Sequence, residues 1–305
     1  MYDIIGKRKH TYIFSALLMI ISLSALGVFG LKLGIDFIGG TLLEVQSTNA
    51  DLLTREELCQ SISQDICTES FIVQKSEDNR VIIRYKESDE DENKEVLAAI
   101  TATDPGMEIL RTDFIGATVS EQLKSNTVTA ILLSVAMILI YIAFAFRRIS
   151  FPVSSWSYGF SAIVALVHDI VIVLGLFSIF GYFFDVEIGI PFIAALLTIL
   201  GYSINDTIVV YDRVRENILR TKNLNQFPQL LNQSLNETLA RSMNTSLTVV
   251  VVLIAMIIWG SPSLLWFSVA LLIGVLAGTY SSIFVATALV VSIYYYKKKK
   301  GLLSD

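Results

Sequence analysis

Charge is scarce in this sequence, and so are cysteine and histidine; each shortage removes a class of protein. Only 17% of the 305 residues are charged and 53% are hydrophobic, with mean hydropathy +0.62. An ordinary soluble domain is about 25% charged and about 45–50% apolar, so both figures lean toward a membrane protein and away from a disordered chain. Two cysteines and two histidines make a four-ligand structural zinc site hard to build and exclude a disulfide-stapled secreted domain. The net charge of −5, from 23 basic and 28 acidic residues, argues against nucleic acid or another polyanion as partner.

What is present is a series of uncharged runs. No charge falls between His10 and Lys32 or between Lys124 and Arg147, and each gap suits a span needing about 20 apolar residues. From Arg148 to Asp185 the chain is apolar except for His168 and Asp169, and from Ile188 it stays uncharged to Asp206 and then Asp212. Residues 242–296 hold 55 uncharged residues, too many for one span at ~1.5 Å rise per residue, and Gly260-Ser261-Pro262-Ser263 divides them. Six spans result, at about 11–30, 125–146, 153–180, 190–213, 240–259 and 264–294. The expected organisation is 1–31 as N-terminus and first span, 32–122 as a domain between spans one and two, 123–296 as a five-helix bundle, and 297–305 as a basic tail.

Lysine and arginine set the orientation. Lys7 to Lys9, Arg147, Arg148, Arg213, Arg215, Arg220, Lys222, Arg241 and Lys297 to Lys300 put 14 of the 23 basic residues on one side. The positive-inside rule makes that side cytoplasmic, with both termini inside the cell, and Tyr294 to Tyr296 fit an interfacial belt. The first apolar run lacks a small-residue cleavage pattern after it and reads as a retained anchor.

Residues 32–122 carry 19 of the 28 acidic residues and show the periodicity of a soluble domain. Thr41 to Val45 reads as a strand, and Thr54 to Ser63 as a helix with Glu57 three residues after its Thr cap. Phe71 to Val73 and Val81 to Tyr85 read as strands about the turn Ser76 to Asn79. Ser88 to Ile100 reads as a helix with acids crowding its N-terminus, and Met107 to Leu110 as a last strand. The order β-α-β-β-α-β is that of an α+β ferredoxin-like fold. Cys59 and Cys67 lie in this domain. On one regular helix they would stand ~12 Å apart, so a disulfide requires the helix to end before Cys67; otherwise they are two small buried residues.

Ionisable groups inside spans are costly and mark ion or proton paths, or tie helices together. Asp206 lies deep in span four, beside a small and polar stripe of Ala194, Thr198, Gly201 and Asn205 suited to helix packing. A carboxylate held between burial and a cation can load and release a proton; the alternative is a structural Asp. Arg241 belongs to a stripe of Thr238, Arg241, Thr245 and Thr248 in span five, as counter-charge to Asp206 or as an arginine reaching the interface. His168 and Asp169, neighbours pointing ~100° apart, would not both face one partner; either joins a proton relay or fixes packing. Asp212 to Asn217 continues span four into the cytoplasm, and Gly274 to Gly278 marks a helix contact. No phosphate-binding loop, nucleophile elbow or paired-carboxylate hydrolase arrangement is present, so the chain is not expected to hydrolyse ATP.

Gly34-Ile35-Asp36-Phe37-Ile38-Gly39-Gly40-Thr41 resembles the signature that opens the periplasmic domain of the SecF family, accessory subunits of the bacterial Sec translocase. Leu200 to Asn217, Leu235 to Ser242 and Val167-His168-Asp169 are similar to that family's fourth-, fifth- and third-span motifs, in the family's order. The resemblance implies a heterodimer with SecD, a twelve-span assembly like the resistance-nodulation-division transporters. In it proton flow moves the outer domains and draws preproteins across the cytoplasmic membrane after SecA-driven export. It implies further partners in the SecYEG channel, SecA, YajC and YidC, emerging preproteins and the bilayer, with H+ as coupling ion, Na+ in some members, and no cofactor or metal. Carried over by position, the proton carrier falls on Asp206 and the essential arginine on Arg241. His168 and Asp169 fall on a motif open between relay and packing, while Gly34, Asp36, Gly39 and Gly40 form a structural turn. Rival readings are half of a small-molecule exporter, or a scaffold for SecD that conducts nothing.

Overall fold

The computed structural model describes residues 2–48, 53–64, 66–68, 71–75, 79–86, 90–146, 152–220 and 226–301, without the side chains of residues 90 and 91. Arg147, Arg148, Lys222, the turn at 76–78 and the helix start at 88–89 lie outside the described residues. The chain divides into two compact units, one of Met1–Lys32 with Thr129–Asp305, the other of Leu33–Val128.

Six helical segments among the described residues are long and apolar enough to cross a membrane, five within the first unit and one, α5, starting in the second. They are α1 (Arg8–Phe29), α5 (Ala117–Ala145), α6 (Ser155–Phe184), α7 (Ile190–Arg220), α8 (Phe227–Trp259), and a last one composed of a short 3₁₀ turn, α9 (Leu265–Ser281), a π-helical turn (Ser282–Ala286) and α10 (Thr287–Lys299). Several outrun the apolar stretch that marks them: α5 starts before Glu121, and α8 starts thirteen residues before the expected 240. A helix does not stop at the membrane surface when its polar turns find partners outside. The last span is not one regular helix either, and π turns occur often at functional sites.

Close packing uses small residues. A Cβ on Gly278 would stand 2.8 Å from the Ser203 Cβ, and one on Gly274 would collide with Ile199, so α9 lies tight against α7. Ser178 Oγ donates to the Ala25 carbonyl (2.9 Å), tying α6 to α1. The stripe Ala194, Thr198, Gly201 and Asn205, expected to pack, is instead exposed within this chain. The face of α7 that α9 meets is the one bearing Ile199 and Ser203. Tyr158, Tyr211 and Phe146 form an aromatic cluster in the bundle core, with the Tyr211 hydroxyl on Ser161 Oγ (3.1 Å).

The second unit opens on α2 (Ile35–Ile38), a turn too short to leave a sequence pattern. Gly39 and Gly40 follow with φ +73° and +122°, and a Cβ on Gly40 would collide with the Tyr85 carbonyl, so both positions demand glycine. Gly34 has an ordinary φ of −77° at the N-terminus of α2, so that demand does not extend to it. The remaining elements are β1 (Gly40–Gln46), α3 (Arg55–Ser61), β2 (Ile72–Lys75), β3 (Arg80–Tyr85), α4 (Glu90–Thr103) and β4 (Glu108–Ile115). The sheet is antiparallel in order β2-β3-β1-β4, with Thr41 facing Tyr85 and Phe114, and a register shift at Glu44/Val45 against β4. Alternate residues Leu43, Val45, Val81, Ile83 and Tyr85 meet Leu58 of α3 and Val96 and Ile100 of α4 in one core. Thr54 caps α3, accepting from the Glu57 amide. Because α3 ends at Ser61 and Ile62 is extended, Cys67 returns to Cys59 and the two form a disulfide with Cα atoms 5.6 Å apart.

Candidate functional site

α7 and α8 pack against each other and run antiparallel, and their shared face is a polar seam. Every fourth residue of α8 from Ser234 presents a buried hydroxyl: Ser234, Thr238, Ser242 and Ser246. That spacing keeps one side of a helix on one face. Near the Arg220 end of α7, Asn217 Nδ2 donates to Ser234 Oγ and to Glu237 Oε2 (both 2.9 Å), and Arg213 Nε donates to Glu237 Oε2 (2.6 Å). Arg213 also pairs with Glu216, which pairs with Arg220. Next comes an open groove of about 280 Å³ lined by Val209, Asp212, Arg213, Glu216, Glu237, Thr238 and Arg241. Beyond it Asp206 lies opposite Ser242. One turn further the Tyr202 hydroxyl donates to Ser246 Oγ (3.2 Å), which shares a hydrogen bond with Thr279 Oγ1 of α9 (2.5 Å).

Asp206 is 4% exposed, and its Oδ2 is buried without a hydrogen-bond partner; so is Ser242 Oγ, 1% exposed. The Ser242 hydroxyl is nonetheless turned to the Asp206 carboxylate as a donor, so the two groups meet at the middle of the seam. Arg241 is exposed, lines the groove, and makes no ion pair within 4.0 Å of Asp206 among the described residues; its charge nonetheless reaches the carboxylate. The stripe read as Thr238, Arg241, Thr245 and Thr248 thus splits: Thr238 is buried with the seam serines, and the other three are exposed.

His168 and Asp169 sit apart from the seam, in a hub between α6, α7 and α9. Both are buried, and they bond each other, His168 Nδ1 to Asp169 Oδ1 at 3.0 Å. The two side chains lean toward each other off the helix, and their further partners differ. Ser203 Oγ and Ser281 Oγ each donate to Asp169 Oδ2 at 2.7 Å. The His168 ring stacks on Tyr280, whose hydroxyl donates to the Thr11 carbonyl (3.1 Å), while His168 Nε2 is buried without a partner. Ser281 is the last residue before the π turn. Asp36, Gly34, Gly39 and Gly40 lie in the other unit. Among the described residues no three of His, Cys, Asp and Glu gather to hold a metal ion.

The serines and Thr279 are hard to single out from sequence. Their one signal was the four-residue recurrence from Ser234 to Ser246, which hydroxyl residues in membrane helices often show for packing alone.

Residues 95–296 match the family model for the protein export membrane protein SecD/SecF C-terminal region, and residues 24–51 match the SecD/SecF GG motif. The protein translocase subunit SecF of Thermobaculum terrenum is 40% identical over 301 residues, covering 96% of this chain and 94% of its own. That of Haemophilus influenzae is 39% identical over 287 residues, covering 92% and 83%. The crystal structure of SecDF from Thermus thermophilus superposes with TM-score 0.82 at 31% identity, and SecDF in its super-membrane-facing form with 0.69 at 32%. This chain covers 96% and 99% of itself in those matches but only 39% and 40% of the solved SecDF chains.

Proposed function

The chain belongs to the SecF family of protein translocase subunits, multi-pass membrane proteins of the Sec pathway, and on that premise we propose that, paired with SecD, it couples proton flow through Asp206 to preprotein export. One observation carries the coupling: a carboxylate buried at membrane depth, fixed by no ion pair among the described residues and approached by the Ser242 hydroxyl and the charge of Arg241. A group needed only to tie helices would be saturated, as Asp169 is; an unsatisfied one has room for a proton. Arg241 biases the charge from the groove, which opens the seam to the Arg220 end of α7.

The partner follows from what this chain leaves bare. Thr198, Gly201 and Asn205 of α7, and Arg241, Asn244, Thr245 and Thr248 of α8, are exposed, yet polar groups at membrane depth face protein or water, not lipid. SecD supplies the covering helices. The solved SecDF chains, of which this chain matches about two fifths, support that assembly. Arg8 stacks on Tyr295 (4.9 Å), bringing the basic ends of α1 and α10 together; both termini then lie on the cytoplasmic side of the inner membrane. The Leu33–Val128 unit is extracytoplasmic, and its strand order with two intervening helices supports a ferredoxin-like domain. The assembly serves SecYEG and SecA, with YajC and YidC nearby. It needs no cofactor and performs no catalysis. One proton crossing 100 mV releases about 2.3 kcal/mol, and each pH unit adds about 1.4 kcal/mol, enough to bias a two-state hinge more than tenfold.

Secretion into inverted vesicles under an imposed gradient tests this. Asp206→Asn keeps the complex assembled and loses the stimulation by the gradient. Unchanged stimulation at unchanged protein level removes the coupling role and leaves a scaffold for SecD. A sodium gradient run in parallel assigns the ion.

A further inference from the structure

The residues before α1 are held by side chains of α8. Asn232 Oδ1 accepts from the amides of Ile4 (2.9 Å) and Ile5 (3.1 Å), and Asn236 Oδ1 from that of Tyr2 (2.7 Å). Both side-chain amides donate back to the Tyr2 carbonyl at 2.9 Å. Asn232 and Asn236 lie one turn apart and so share a face of α8, and Ile5 secures the clasp by entering the bundle core. A pocket of about 350 Å³ results, lined among others by Asp3, Arg8, Gln229 and Tyr295. That volume falls within the about 300–1,000 Å³ of small-ligand sites. Two opposite charges line it without meeting. Arg8 lies over the Tyr295 ring (4.9 Å) and gives an N–H to the Ile5 carbonyl (3.3 Å), which leaves other donors of its guanidinium for a ligand. Asp3 Oδ1 accepts from the Gly6 amide (2.8 Å), and a Cβ on Gly6 would run into that carboxyl, so glycine lets it fold over the turn. Among the described residues neither Asp3 nor Arg8 forms an ion pair, with each other or with a third group.

Tyr295 belongs to the tyrosine run near the end of the last span, the level at which aromatic side chains meet lipid headgroups. We propose that the pocket holds the headgroup of a lipid bearing a phosphate and a primary ammonium, as in phosphatidylethanolamine, with Arg8 on the phosphate and Asp3 on the ammonium. A zwitterion gives each of the two charges the partner that neither finds in the protein. A choline headgroup has no N–H to donate to Asp3. A glycerol headgroup leaves Asp3 beside a phosphate with nothing to neutralise it. Lys7, Lys9 and Lys297 to Lys300 flank Arg8 and Tyr295 in sequence and attract anionic lipids of any headgroup; the carboxylate of Asp3 is what makes the pocket selective. The clasp fixes the segment that carries Asp3, and Ile13 and Leu17, exposed on α1 beyond the pocket, offer an apolar wall to the acyl chains. The site is independent of the proton reading of Asp206.

The test is native mass spectrometry of the delipidated SecD–SecF complex, titrated with phosphatidylethanolamine, phosphatidylcholine and phosphatidylglycerol of one acyl composition. Wild type retains the ethanolamine lipid about tenfold more tightly than either of the others, the scale of one hydrogen bond between charged groups. Asp3→Asn keeps the acceptor for the Gly6 amide and removes the charge, so the ethanolamine lipid falls about tenfold, to the level of the choline lipid. Arg8→Gln weakens all three lipids by about tenfold. The comparison on wild type needs no variant, so it decides even where a variant fails to assemble. Equal retention of the three lipids overturns the proposal, and so does tighter retention of phosphatidylglycerol, which assigns binding to the lysines alone. An ethanolamine preference unaltered in both Asp3→Asn and Arg8→Gln places the lipid elsewhere and overturns it too. Displacement of the bound lipid by an equal concentration of water-soluble phosphoethanolamine makes the ligand a free phosphate ester and overturns the lipid assignment.

Discussion

Two carboxylates within the same bundle are treated in opposite ways. Asp169 is 0% exposed and receives three donors, from His168, Ser203 and Ser281, on three helices. Asp206, one turn along α7 from Ser203, is almost as buried, yet among the described residues only the Ser242 hydroxyl is turned to it as a side-chain donor, and its Oδ2 is left out of the hydrogen-bond network. The same residue type at comparable depth is thus fastened in one place and left open in the other. A fastened carboxylate holds helices; an open one can change its charge without dismantling its surroundings. Ser203 couples the two, since it bonds Asp169 while sitting on the helix that carries Asp206.

Removing the fastened group breaks this contrast most severely. Asp169→Ala strands Ser203, Ser281 and His168 in the core, and a broken buried network costs about 3–5 kcal/mol. The expected outcome is a steep fall in the melting temperature of the detergent-solubilised SecD–SecF complex, while Asp206→Ala melts close to wild type and fails only in gradient-driven export. Equal melting of the two variants would erase the distinction.

A second pair moves the contrast from carboxylates to helix faces. Gly278 has no room for a side chain against Ser203, whereas a Cβ on Gly201 meets nothing within 4 Å. Gly278→Leu should destabilise the chain by about 1–3 kcal/mol through overpacking. Gly201→Leu should leave the isolated subunit's melting unchanged and weaken its association with SecD, measured by co-purification. Intact association in Gly201→Leu would mean that the exposed stripe is not the partner's seat.

How much of this could be read in advance follows the same division. Gaps between charges pick out the six helices that, among the described residues, are long and apolar enough to cross a membrane, because the bilayer penalises charge wherever the helix ends. The helices α5 and α8 begin well before their uncharged stretches, because polar turns outside the bilayer obey capping and packing. The polar stripe on α7 was visible, but whether Ala194, Thr198, Gly201 and Asn205 meet a helix of this chain depends on where α9 lies, and α9 takes the Ser203 face. Asp206 stood out by its cost. Ser242 and Ser246 did not, since a serine in an apolar helix usually satisfies itself on its own backbone and only the fold shows which one fails to. In the smaller unit the strands and two helices were legible from alternation and caps. The disulfide was not, because it depends on α3 ending at Ser61, six residues before Cys67.

The smallest effect separates saturation from membrane burial. Asp104, in the Leu33–Val128 unit, is buried and saturated like Asp169, but by donors outside any span: Ser47 Oγ at 2.6 Å, the Thr48 amide at 2.8 Å, the Thr48 hydroxyl, and the Gly106 amide at 3.3 Å. The Ser47 hydroxyl foremost, then that of Thr48, holds its carboxyl down at about 2, against about 3.9 in an unfolded chain. A depressed folded value means that the ionised form is the stabilised one. Its contribution is therefore complete above about pH 4 and is lost as pH falls toward 2. Asp104→Asn should loosen the link between β1 and the end of α4 by about 1–2 kcal/mol at neutral pH, read as faster hydrogen exchange of the Thr48 amide in the full chain. The difference from wild type should shrink between about pH 4 and pH 2. A difference that persists unchanged to pH 2 would show that the donors hold the shape of the carboxyl and not its charge, and saturation would then say nothing about the contrast between Asp169 and Asp206.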